Sequence, residues 1–243
     1  MNPDDTAPVC FVAGTLVHTK NGLVPIEQIK VGDLVLSQPE AGGERAYRRV
    51  TLTTKRNDQE VLLLEYFRAD ANDDGSAVKN LVLTAPHPVW VSGMGWVAAQ
   101  TLVGGHEIQL ADGSLGIVLS VRRILQTDVP QVGWTHDDGM DVGPTIDLRG
   151  SSILISEFFK GDTYDESASE LNKRFKIDVY NFEVEEFHTY YTGEHGVWVH
   201  NICPTEASPM GTTGERKVSY NDLETAARLP IACPTFSSEL PFG

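Results

Sequence analysis

Short β-branched and aromatic runs, each closed by a turn signal, are what most limits the folds open to this chain. Asn21-Gly22 marks a hairpin between residues 15–18 and the run that starts at Leu23. Gly32-Asp33, Gly93-Met94-Gly95, Ala111-Asp112-Gly113 and Thr192-Gly193 punctuate the sequence in the same way. Between them lie strand-like runs at 34–36, 50–54, 61–67, 81–84, 89–91, 96–97, 108–110, 117–124, 179–184 and 197–200, with a single short helical turn at 24–29. Many short strands with closely spaced turns predict an all-β fold, a sandwich or a compact, barrel-like domain.

Two stretches break that rhythm. Residues 127–176 are rich in Gly and Asp, carry an apolar patch (Ile153-Leu154-Ile155, Phe158-Phe159) and end in an expected helix over 167–175, which reads as a mixed insertion before the last strands. From 202 to 243 the composition turns to Pro, Ser and Gly, a linker that leads into something longer, with Asn221 placed to cap a short helix over 222–229. No internal repeat is evident.

Composition narrows the function classes. A chain of 243 residues, 41% of them apolar, can bury one large β core or two small ones. The net charge of −15 argues against nucleic-acid binding, because phosphate contacts need clustered Lys and Arg. No basic-plus-apolar leader opens the chain and no apolar run reaches membrane-spanning length. The expectation is a soluble piece without its own signal peptide. Three cysteines are too few and too odd in number for a disulfide framework. Cys203 and Cys233 could pair, which leaves Cys10 free, as a nucleophile must be.

The chemistry concentrates at the two ends. Val197-Trp198-Val199 runs into His200-Asn201, and Asn can cut its own backbone: its amide nitrogen attacks its own carbonyl carbon, closes a succinimide and releases whatever follows. A neighbouring imidazole can polarise that carbonyl or move the proton. Near the other end, Cys10 is followed by Phe11-Val12-Ala13-Gly14-Thr15, and between them come Thr84-Ala85-Pro86-His87, Val179-Tyr180-Asn181-Phe182-Glu183-Val184 and His188.

In that fixed order these motifs resemble the Hint fold of inteins and hedgehog autoprocessing domains, and are most similar to the bacterial intein-like and pretoxin Hint domains of polymorphic toxins. The resemblance covers residues 10–201 apart from the insertion, with 1–9 as an N-terminal flank. It implies a horseshoe of short antiparallel strands and a single-turnover, self-cleaving activity. Cys10 would attack the Val9 carbonyl to give a thioester, with Thr84 orienting the peptide and His87 protonating the departing amide nitrogen. Asn201 would cyclise and cleave before Ile202, with His200 and His188 as proton carriers. The substrate would be the chain's own flanking polypeptide, within a monomeric stretch of a larger bacterial polyprotein that is exported to deliver a C-terminal effector. No cofactor and no metal are implied.

Two positions depart from the splicing pattern. Splicing needs Cys, Ser or Thr after the terminal Asn, and Ile202 has no nucleophile, so cleavage is favoured over splicing. Asn181 stands where splicing inteins often carry Asp, and an amide cannot take up a proton as a carboxylate can. The insertion is too short for a homing endonuclease, and no sterol-recognition region follows Asn201.

Plainer readings stand beside these. Cys10 could be a buried small hydrophobe, His87 a loop residue stiffened by Pro86 and Pro88, and His188 a structural hydrogen-bonder. His18, His106, His136 and His195 read as surface residues at no metal-site spacing, and Glu185-Glu186 as a solvated turn. Residues 70–75 match half of a calcium loop but lack the closing Glu, so a polar hairpin loop is the better account. The alternatives to self-cleavage are a cysteine peptidase acting in trans and an inactive β-rich spacer or interaction module.

Overall fold

The computed structural model describes residues 9–68, 78–135, 143–159 and 174–201. Its strands are β1 (Phe11–Val12), β2 (Leu16–Thr19), β3 (Gly22–Pro25), β4 (Leu34–Ser37), β5 (Ala46–Arg68), β6 (Val78–Thr84), β7 (Pro88–Val91), β8 (Gly95–Ala98) and β9 (Glu107–Gln109). They continue as β10 (Leu115–Arg123), β11 (Leu125–Gln126), β12 (Val132–Trp134), β13 (Gly143–Asp147), β14 (Leu154–Phe159), β15 (Lys176–Val184), β16 (Thr189–Thr192) and β17 (Val197–His200). Every pairing is antiparallel. The main sheet runs β10-β9-β7-β17-β16-β2-β4-β5-β15-β1-β6, with β3 on β2 and β8 on β7. Further pairings of β5 with β6 and with β10 bring the ends of that path together. A second, four-stranded sheet is ordered β11-β12-β13-β14.

The fold is all-β, as the turn spacing predicts, and its first and last strands both lie inside the sheet. β1 sits between β15 and β6, and β17 between β16 and β7. This brings residues 9–10 and 200–201 into the interior. Side-chain alternation on β1 then splits the packing. Phe11 joins a large core with Val17, Leu64, Leu83, Phe182, Tyr190 and Val199. Cys10 and Val12 join a second core with Leu63, Val82, Ile146, Leu148 and Val179. The four-stranded sheet therefore packs behind Cys10. A third cluster of Trp96, Tyr191 and Trp198, with Trp90 against it, holds the C-terminal strand, and the Trp90 and Trp96 rings each lie 4.8 Å from that of Trp198.

Several local expectations shift. The hairpin turn is Lys20-Asn21, with Thr19 opposite Gly22, so Gly22 opens β3 at φ +105° instead of sitting in the turn. The runs at 50–54 and 61–67 are one strand, because the polar residues between them pair with β15 along 55–60 while leaving their side chains outside. A register shift beside Asp58, which has φ +53°, lets the strand bend there. The insertion is β in its described part, and Arg174 bridges to Leu125 where the end of a helix was expected. The rest of that helix, the 70–75 loop and everything after Asn201 lie outside the described residues. Among the described residues, no helix is long and apolar enough to cross a membrane.

Candidate functional site

Thr84, the last residue of β6, fixes the peptide before Cys10. Its Oγ1 accepts the Cys10 N–H at 2.9 Å, and its own N–H donates to the Cys10 carbonyl at 3.0 Å. The amide nitrogen that a thioester-forming step must release is thus held by a hydroxyl. On the other side of the same peptide, Asn181 Nδ2 donates to the Val9 carbonyl at 2.7 Å. The orientation of that amide is set by its partners: the Phe182 N–H, which can only donate, meets Oδ1 at 2.8 Å, and the Val9 carbonyl can only accept. Tyr190 adds its hydroxyl to Oδ1 at 2.9 Å.

The same nitrogen reaches the other end of the chain. Asn181 Nδ2 also donates to Asn201 Oδ1 at 3.2 Å. Asn201 follows β17, is buried, and is fastened by its backbone N–H to the His188 carbonyl at 2.7 Å. Its own Nδ2 donates to the Phe182 carbonyl and, at 2.8 Å, to Glu183 Oε2. Glu183 Oε1 in turn pairs with His188 Nδ1. His188 sits at φ +52°, in the left-handed region that His enters more readily than most non-Gly residues, at the turn into β16.

His87 is fully buried, with its ring centroid 4.2 Å from that of Phe11 and neither nitrogen in hydrogen-bonding geometry with a partner. Burial first, and the nearby His200 second, push its pKa down to about 3, against a weaker opposing pull from the Cys10 backbone. The resting imidazole is neutral. A neutral imidazole could protonate a leaving nitrogen only after first taking up a proton. Burial likewise pushes the Cys10 thiol up to about 12, only partly offset by Arg56, which leaves it protonated at rest.

His200 is buried with its ring edge-on to Trp96 at 5.1 Å. Glu40 Oε1 lies 3.0 Å from its Nε2, but out of line for a hydrogen bond. The pairing of Glu183 with His188 raises the His188 pKa, against partial burial.

The residues given roles from the sequence therefore fall in one region: Cys10, Thr84, Asn181 and Asn201 are linked by hydrogen bonds through the Val9–Cys10 peptide, half-buried His188 joins through Glu183, and buried His200 lies near enough to His87 to lower its pKa. Three neighbours had no signal as strong. Glu183, Glu40 and Tyr190 were given no role from the sequence, since a carboxylate in a strand or loop and a tyrosine beside a strand have no pattern that sets them apart. Asn181 was read by what an amide lacks, and its donor role shows only once Val9 is placed opposite it. His18 is half-buried and bonds the Gly193 carbonyl at 2.9 Å, and His106 and His195 are also only partly exposed, so none of the three is a free surface residue. His136 lies outside the described residues. Among those residues no cluster of His, Cys, Asp and Glu could hold a metal.

A family model and one solved structure agree with this architecture. Residues 16–135 match the family model of the pretoxin Hint domain. That stretch contains Thr84 and His87 and leaves Cys10 and the C-terminal motifs outside it. Among solved structures, the bacterial intein-like domain from Clostridium thermocellum is 27% identical, with a TM-score of 0.50, covering 79% of this chain and 98% of that one. A DnaB intein from Synechocystis sp. PCC 6803 is 9% identical with a TM-score of 0.48, covering 81% and 100%. No curated protein sequence matches.

Proposed function

Because the chain carries a Hint domain, an autoprocessing type of fold, we propose that it cuts its own backbone after Asn201 and so frees the polypeptide that begins at Ile202. Asn201 Nδ2 attacks the Asn201 carbonyl carbon and closes a five-membered succinimide. The bond to the Ile202 nitrogen breaks, and that nitrogen leaves as an amine after gaining a proton. Ile202 offers no side-chain nucleophile, so the acyl group is not passed on and the cut is one-way. Water then opens the succinimide. Holding both reacting groups in one buried residue supplies the proximity term.

The observation that carries this reading is the burial of Asn201 in a polar network that grips both its side-chain atoms and its backbone N–H. Solvent-exposed Asn at a strand end needs no such network. A second reaction, thioester formation at Val9–Cys10 opened by water or an added thiol, is supported by the Thr84 and Asn181 bonds to that peptide. In the parent protein the released part would be a C-terminal effector, exported with this domain.

Intact mass of the purified chain tests the reading. The expected result is a C-terminal fragment starting at Ile202 that accumulates with first-order kinetics and is absent from Asn201→Ala. A single full-length species, stable for days across several pH values and with added thiol, overturns it and favours an inactive module.

A further inference from the structure

We propose that Glu183 is the catalytic base for cyclisation of Asn201, a role that rests on the cleavage proposed above. A carboxamide nitrogen is a poor nucleophile, because its lone pair is delocalised into the carbonyl. It becomes competent when an N–H proton is removed as the new bond forms. Asn201 Nδ2 has two protons to place, and its two partners differ in kind. One is the Phe182 carbonyl, which accepts a hydrogen bond but cannot take up the proton. The other is Glu183 Oε2 at 2.8 Å, which can.

The surroundings suit that task. Glu183 lies on β15 two residues after Asn181, with its side chain only 16% exposed. An amide that needed only a hydrogen bond could be satisfied by a second backbone carbonyl, without the desolvation that a carboxylate suffers there. His188 Nδ1 holds the other carboxylate oxygen, which leaves Oε2 aimed at Asn201. The protons balance. One passes from Nδ2 to Glu183 as the Nδ2–C bond forms, and when the C–N bond to Ile202 breaks one is returned to the Ile202 nitrogen. Glu183 ends the cycle as it began.

The test compares the rate of Ile202-fragment formation in the unaltered chain, Glu183→Gln and Glu183→Asp, with thiol-induced cleavage at Val9–Cys10 and thermal melting followed in parallel. Gln keeps the shape and the acceptor oxygen and loses the basicity, whereas Asp keeps the basicity at shorter reach. The expected result is a loss of about 100-fold or more for Gln, a smaller loss for Asp, and an N-terminal reaction within a few-fold of normal in both. Cleavage of Glu183→Gln at the unaltered rate overturns the assignment, and so does an equal slowing in Gln and Asp. An unaltered chain that yields no Ile202 fragment overturns the proposed function itself, and this inference with it.

Discussion

A single side-chain amide touches both ends of the domain. Asn181 gives one N–H to the Val9 carbonyl and the other to Asn201 Oδ1, while Phe182 and Tyr190 hold its oxygen. Asn181→Ala removes the donor facing the carbonyl where negative charge would develop, and strands the two donors that its oxygen serves. Thiol-induced cleavage at Val9–Cys10 is expected to fall by about 10²–10³, with roughly 1–3 kcal/mol lost from stability, read by mass spectrometry and denaturant melts. His87 sets a separate, pH-linked expectation. Its folded pKa is depressed to about 3 from an ordinary 6.5, so below about pH 6.5 the unfolded chain binds a proton that the folded one refuses. This contribution is fully present near neutral pH and drains away on acidification at up to about 1.4 kcal/mol per pH unit until the folded pKa is reached. His188, raised by Glu183, acts in the opposite sense: its contribution is present at low pH and lost as pH rises through its folded pKa. In an Asn201→Ala background, melting between pH 7 and 4.5 should therefore decline less steeply for His87→Phe than for His87, and parallel curves would refute the buried neutral imidazole. At this scale Cys10, Thr84, His87 and Asn201 were marked by the resemblance of the motifs that carry them, and the structure adds their burial and the bonds made by Cys10, Thr84 and Asn201. Glu183 was not singled out, because a strand carboxylate reads as a solvated face until Asn201 is folded against it.

Among the elements, β5 and the four-stranded sheet show what periodicity misses. Residues 55–60 of β5 contain no apolar side chain to alternate, so nothing local marks them as strand, and only the β15 ladder keeps them extended. β16 was missed for the converse reason, since all of Thr189–Thr192 is buried and no alternation survives. The four-stranded sheet supplies part of the wall that buries Cys10. Its Ile146 and Leu148 share a core with Cys10 and Val12, and the Ser151 carbonyl sits 3.1 Å from where a side chain on Gly14 would begin. Gly14, at φ +82°, is therefore required both for its turn and for that close approach. Ile146→Ala opens a cavity in this second core at a cost of about 2–5 kcal/mol. Alkylation of Cys10 by iodoacetamide, followed by peptide mapping to separate it from Cys203 and Cys233, should be negligible in the unaltered chain and rise at least about tenfold in the variant. Equal protection in both would mean that the sheet is not what shields the thiol.

For the molecule as a whole, the position of β17 decides what a cut after Asn201 leaves behind. The strand lies between β16 and β7, and all four of its residues are buried, with Trp198 at the centre of the aromatic cluster. Burial of each large apolar side chain contributes roughly 1.5–3 kcal/mol, so Val197, Trp198 and Val199 together approach the roughly 5–15 kcal/mol that stabilises a typical domain. The proposed cut would fall just outside this strand, so the spent domain would keep every strand pairing among the described residues and its new C-terminus in the interior. Two truncations separate these statements. A chain ending at Asn201 should melt within a few degrees of the uncleaved Asn201→Ala protein, whereas one ending at Gly196 should fail to fold cooperatively by circular dichroism and calorimetry. A cooperative transition in the shorter chain would show that the exit strand is dispensable.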